Sequence, residues 1–279
     1  MSTRVLGLVR ASHPEPAAAV VVVAALLAAG VGHTAVGIVT VALTVLASQL
    51  AVGWSNDLID ADRDAAVGRT DKPVTTGAVS RPTLARATAV AAVATGLLAL
   101  AGGPAAAACA TLGLVSALLY NKPLKSTPVS VLPYAVSFGA LPAFVVLARP
   151  GSPAPPVWLV AAAALLGAGA HFANVLPDLA DDARTGVRGL PHRLGPAGSR
   201  WAAAGLLLAA TVALVFGPPG PPSWTGLSAV AAAVAVPALG WYVGRAAAGT
   251  GGRPVAAFRS VLVVALIDVV LLVANGRVV

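Results

Sequence analysis

Charge is the scarcest ingredient of this chain: of 279 residues only 10% are Asp, Glu, Lys or Arg, against 58% hydrophobic, and mean hydropathy is +0.87. A soluble domain carries roughly 25% charged residues on its surface, so a water-soluble fold is excluded and a polytopic helical membrane protein is implied. Cysteine is reduced to Cys109, within an apolar run, which excludes an intrachain disulfide and a thiolate metal site. Aromatic residues make up 5%, leaving Ala, Val and Leu to carry the apolar content. Long polar stretches are missing too, so one membrane-embedded unit over residues 1–279 is expected, without a soluble domain.

What the chain has in quantity is uninterrupted apolar sequence. With about 17 to 25 residues needed per membrane-spanning helix, nine runs qualify or nearly so: Ala17–Gly32, Ala35–Ser55, Thr83–Leu100, Ala105–Leu119, Val129–Leu147, Val157–Val175, Trp201–Phe216, Thr225–Val243 and Ala256–Ala274. The runs do not alternate as barrel strands would, so an all-α integral membrane fold of nine transmembrane helices in one bundle is expected. The first run is not expected to be a cleaved signal, because eight further runs follow it. Net charge is +8, and its placement matters more than its size. With nine spans, the amino terminus and the even-numbered loops share one side, which receives all of the 18 Lys and Arg except Arg149 and Arg277. That asymmetry puts the amino terminus in the cytoplasm of a multi-pass cell-membrane protein and argues against a nucleic-acid surface.

Two loops hold most of the acid. Of the ten Asp and Glu, all but Glu15 and Asp268 lie in the stretches beginning at Asn56 and Asn174. A shift of 118 residues, from 56 to 174, superimposes Asn56 on Asn174, Asp60 on Asp178, Asp64 on Asp182, Ala65 on Ala183, Gly68 on Gly186 and Pro73 on Pro191. Such a register indicates duplication, with pseudo-repeats at about 17–128 and 129–243 and an added ninth helix at about 256–274; the alternative is two polar loops that converged. Repeats in membrane proteins commonly place the site where the halves meet.

Carboxylates beside hydrocarbon are costly, and clustering them calls for a cation. If the second helix continues beyond its apolar run, Asn56, Asp60 and Asp64 fall at i, i+4, i+8 and drift only about 40° per step, forming one oxygen-rich stripe. Asn174, Asp178 and Asp182 form a second stripe, which Pro177 is placed to kink. An all-oxygen set favours magnesium, which takes one or two carboxylates, keeps water and binds a substrate phosphate. Arg69 and Lys72 after the first stripe, Arg188 after the second, and Lys125 between them are the candidates to receive a diphosphate leaving group; positive-inside anchoring is the other explanation for each.

These residues resemble the UbiA-type intramembrane aromatic prenyltransferases. The Asn-Asp-x-x-Asp-x-x-x-Asp pattern that follows the second helix in that family is matched by Asn56, Asp57, Asp60 and Asp64, and its Asp-x-x-x-Asp after the sixth by Asp178 and Asp182. The family's Tyr followed closely by Lys or Arg is matched by Tyr120, with Lys122 and Lys125 after it, although Leu124 stands where some members carry a second base. The resemblance implies nine helices around a central cavity, with polar caps at the cytoplasmic mouth and a lateral opening to membrane lipid. It implies Mg2+ held by Asn56, Asp57, Asp60, Asp64, Asn174, Asp178 and Asp182, a prenyl diphosphate donor, an allylic carbocation, and capture by an acceptor, commonly an aromatic ring and in some members lipid-like. Asp57 is either a ligand or a support for one. Tyr120 orients the diphosphate or the cation, or is an ordinary interfacial tyrosine. Gln49, on the face of Asn56, and His171, on that of Asn174, contact the acceptor or serve as interhelical packing. A membrane terpene cyclase of the same fold and a cation-coupled transporter are the competing readings.

Overall fold

The computed structural model describes residues 3–66, 68–248 and 256–274. Among them the structure is helical without strands: α1 (Thr3–Ala11), α2 (Pro14–Val31), α3 (Ala35–Ala66), α4 (Arg81–Ala99), α5 (Pro104–Asn121), α6 (Leu132–Leu147), α7 (Val157–Val175), α8 (Leu179–Arg184), α9 (Leu190–Phe216), α10 (Trp224–Ala248) and α11 (Ala256–Ala274). Each of the nine apolar runs overlaps one of these helices, although Val129–Val131 precede α6 and Gly32 and Leu100 fall just beyond α2 and α4. Among the described residues seven helical segments are long and apolar enough to cross a membrane; α6, at 16 residues, is a shorter apolar helix. Arg277, used above in the charge asymmetry, lies outside the described residues.

Local chemistry sets the helix ends. Pro14 opens α2 and Pro104 opens α5 at the first helical position, where a missing N–H costs nothing. Gly32 closes α2 in the left-handed region (φ 87°), its N–H returning to the carbonyls of Ala28 and Ala29. Ser80 caps α4 by accepting from the Thr83 N–H at 3.3 Å.

The long helices form a ring. Each of α2 to α7, then α9, α10 and α11, packs on the next, and α11 returns to α2. Two apolar cores flank the ring's interior: Leu27, Val41, Val145 and Phe144 join α2, α3 and α6, while Phe172, Leu207 and Val264 join α7, α9 and α11. The outside is apolar as well, with Val36 77% and Val157 83% exposed, as a surface facing lipid requires. Small residues allow the close crossings; a Cβ on Gly167 would lie 2.5 Å from the Phe138 Cβ, so the missing side chain lets α7 close on α6 at that point.

The short helix α1 was not among the expected elements. It packs on α2 and α3, with Ala11 beside Val79 and Leu84 and the Leu8 carbonyl accepting from Trp54 Nε1 at 2.9 Å. Its importance is positional: the turn between α1 and α2 carries His13 to the polar end of the ring.

Candidate active site

A cavity of about 820 Å³ occupies the ring's interior. At one end it is lined by Asn56, Asp60, Asp64, Asp178, Asp181 and Asp182 with Arg63, Arg69, Lys72 and Lys125; beyond them the wall is mainly Ala, Val, Leu and Phe.

α3 supplies the first stripe because it does continue, without a break, to Ala66. Asp60, 6% exposed, is the hub: Lys125 Nζ donates to its Oδ2 at 2.8 Å, Asn56 Nδ2 donates to the same oxygen at 3.2 Å, and Arg63 pairs with its Oδ1. Asp64, one turn on, lines the cavity, and its carboxylate has no hydrogen bond or ion pair among the described residues.

The second stripe is built differently from a continuous helix. α7 ends at Val175, Leu176–Asp178 forms a single 3-10 turn around Pro177, and α8 resumes at Leu179. Proline has no N–H for the α-helical bond, and the tighter turn absorbs the break. Asn174, Asp178 and Asp182 still line the same cavity. Asn174 Nδ2 donates to Tyr134 Oη at 3.1 Å, and Asp182 lies 3.6 Å from His192 Nε2.

The loop after α3 brings the two stripes together. Arg69 holds Asp71 through two hydrogen bonds of 2.8 Å and reaches toward Asp178, 3.9 Å from its Oδ1. The hydrogen bonds to Asp71 raise the Arg69 pKa and keep its guanidinium charged. Thr75 Oγ1 lies 2.6 Å from the Arg69 carbonyl and 2.7 Å from that of Lys72, curling the loop so that both cations reach the cavity. Lys125 is drawn below the ordinary lysine range, chiefly by burial, against the pull of Asp182 and other carboxylates. The chain carrying it is clamped from the second half: a Cβ on Gly189 would sit 2.5 Å from the Lys125 carbonyl oxygen.

Several expected residues stand elsewhere. Asp57, expected as a metal ligand or a support for one, does not line the cavity; it is 1% exposed, and its Oδ1 meets Lys72 Nζ at 2.5 Å and His13 Nε2 at 3.0 Å. Asp57 lies about 100° round the helix from Asn56, and its carboxylate is engaged by Lys72 and His13 instead of facing the cavity. His171 is 1% exposed and off the cavity; its Nε2 is 3.1 Å from Ser130 Oγ, which accepts from the Leu190 N–H at 2.9 Å and so fixes the start of α9. Lys122 and Arg188 are exposed and off the cavity. Gln49 and Tyr120 line it, Tyr120 edge-on to Tyr134 at 4.8 Å between ring centroids. His13, Tyr134, Phe138 and Asp181 also line it and were not singled out in the sequence. Only the position of His13, immediately before the first apolar run, hints at its place.

The donor set fits a hard cation bound jointly with a phosphate-bearing ligand. It is all oxygen, and Asp64 has an uncommitted carboxylate. Among the described residues no three His, Cys, Asp or Glu side chains converge on one point, so a metal here takes one or two protein carboxylates and completes its shell from ligand and water, the habit of magnesium.

The helical ring, apolar on the outside, joins two acidic segments and several cations at one end of its cavity, the architecture of a helical membrane protein with a polar site. The chain belongs to the UbiA prenyltransferase family, whose model matches residues 17–266. Among solved structures, a UbiA homolog from Archaeoglobus fulgidus bound to GPP and Mg2+ is similar at TM-score 0.72 and 16% identity, covering 97% of this chain and 98% of that one. The apo UbiA homolog from Aeropyrum pernix K1 is similar at TM-score 0.70 and 22% identity (91% and 97% covered), and a digeranylgeranylglyceryl phosphate synthase at TM-score 0.69 and 15% identity (98% and 99% covered). No curated protein matches the chain in sequence.

Proposed function

We propose that this chain transfers a prenyl group from an isoprenoid diphosphate to an aromatic acceptor, with Mg2+ holding the diphosphate at the polar end of the cavity. The observation that carries the reading is the meeting of Asp60 and Asp178, from the two acidic segments, with Arg63, Arg69, Lys72 and Lys125 over a largely apolar chamber. The Archaeoglobus fulgidus homolog, bound to GPP and Mg2+ and, in another structure, to DMAPP and Mg2+, supports it.

In this reading Asn56, Asp60, Asp64, Asn174, Asp178 and Asp182 would hold magnesium ions, each ion taking one or two of the carboxylates. Magnesium supplies charge neutralisation of the diphosphate as it leaves. Arg69, Lys72, Lys125 and Arg63 donate to the diphosphate oxygens, and their hydrogen bonds strengthen as the C1–oxygen bond breaks heterolytically and its electron pair departs with the leaving group. Asp57 acts through Lys72 and His13, holding them at the mouth. Tyr120, Tyr134 and Phe138 offer ring faces to the allylic cation, and the apolar wall excludes the water that would quench it. The acceptor ring gives an electron pair to the cation and then loses its proton. Lys122 and Arg188 take no part.

The same reading assigns nine membrane spans, with the amino terminus and the polar end of the cavity facing the cytoplasm, as the distribution of Lys and Arg favours. Segments 17–128 and 129–243 are pseudo-repeated halves and 256–274 the addition. The test is purified protein in lipid nanodiscs, given short and long prenyl diphosphates with a panel of aromatic acceptors, with magnesium or with chelator. Prenylated acceptor formed only with metal is expected. A cyclic hydrocarbon formed equally well without acceptor, or transfer indifferent to chelation, contradicts the proposal.

A further inference from the structure

Asp268 is an acid in the apolar part of the molecule that the chemistry above does not use. It lies on α11, is 5% exposed, lines the cavity, and accepts a hydrogen bond of 2.8 Å at its Oδ2 from Thr211, which is itself fully buried on α9. Its depth follows from pairs at the mouth. Arg259 of α11 bonds Glu15 at the start of α2 at 2.8 Å, and His13, two residues earlier, bonds Asp57 of α3. Nine residues from Arg259 to Asp268 carry the chain about 13 Å inward, and eight from Asp57 to Gln49 carry it about 12 Å. Gln49 therefore stands at a similar depth. Its amide also lines the cavity, with no hydrogen-bond partner among the described residues.

A carboxylate and an amide facing an apolar chamber at one depth are expensive unless a ligand meets them. The hydrocarbon chain of an isoprenoid diphosphate has no hydrogen-bonding group beyond its head, so the donor cannot be that ligand. We infer that Asp268, oriented by Thr211, and Gln49 form a recognition point for the acceptor, selecting an aromatic molecule that carries a hydrogen-bond donor such as a hydroxyl on the side remote from the diphosphate. The inference rests on the prenyl-transfer reading and names its acceptor class.

The test separates the two. Wild-type protein in nanodiscs with Mg2+ is loaded with geranyl S-thiolodiphosphate, a donor analogue that resists ionisation, and binding of pentylresorcinol and of its dimethyl ether is measured by equilibrium dialysis. The diol is expected to bind about tenfold or more tightly than the ether, the worth of one or more hydrogen bonds to a buried acceptor. In Asp268→Leu and Gln49→Leu that preference falls to within about twofold, while affinity for the donor analogue is unchanged; Asp268→Asn, which keeps an acceptor oxygen, and Thr211→Val retain part of it and serve if the leucine variants fail to insert. Equal binding of diol and ether to wild type, binding of neither, or an unmoved preference in every variant overturns the inference. Failure of the donor analogue to bind overturns the prenyl-transfer reading instead.

Discussion

Lys125 connects the two sources of electrostatics at the site. Burial lowers its pKa, so it loses its proton at a lower pH than an ordinary lysine, and the cation that the leaving diphosphate needs disappears as pH rises. The rate of transfer should therefore fall on the alkaline side, and Lys125→Arg, whose guanidinium stays charged, should move that limb to higher pH; a pH–rate profile of the two proteins checks it. For Asp57, expected as a ligand or a support for one, the contacts with Lys72 and His13 favour support. With Oδ1 shared by Lys72 and His13 and Oδ2 buried without a partner among the described residues, Asp57→Ala leaves Lys72 without its counter-charge and His13 without its hydrogen-bond partner. It should lower thermal stability by about 3–5 kcal/mol and raise the KM for prenyl diphosphate more than it lowers kcat. Spacing could show that Asn56, Asp60 and Asp64 share a helical face, because period is a property of sequence. That the intervening Asp57 is met by a histidine 44 residues earlier is tertiary, and no local pattern encodes it.

Among the elements, the sequence was most legible where hydrophobic period and length decide, and the apolar runs each overlap a helix to within three residues at the ends. It was least legible where polar chain is folded by a few specific bonds: α1, the loop curled by Thr75, and the turn around Pro177. Pro177 could be read as a kink, but the 3-10 turn that keeps Asp178 and Asp182 on the cavity depends on how α7, α8 and α9 pack. Close helix approach at glycine gives a direct check. In Gly53→Ala the new Cβ would lie 2.8 Å from the Ser12 carbonyl oxygen. The α1–α2 junction must then move off α3 and carry His13 from Asp57, with a loss of roughly 1–3 kcal/mol in a thermal melt and weaker donor binding. Gly96→Ala, which meets nothing within 4 Å, should leave the melt unchanged or slightly raised.

For the whole molecule the proposed orientation is open to labelling. With Cys109 replaced, single cysteines at Thr76 and at Gly186 should react with an impermeant thiol reagent only when the cytoplasmic side of the membrane is exposed, and one at Ser152 only from the opposite side. Labelling of all three from one side contradicts nine spans. The central claim is that two acidic segments, 118 residues apart, act as one diphosphate site, and residues that act as one unit lose function without additivity. Transfer rates of Asp60→Ala, Asp178→Ala and the double variant, each shown to be inserted and folded, test this most directly. Each single substitution is predicted to cost on the order of 10²–10³-fold, and the double little more than either. Near-wild-type turnover in either single variant, or losses that multiply in the double, would contradict it.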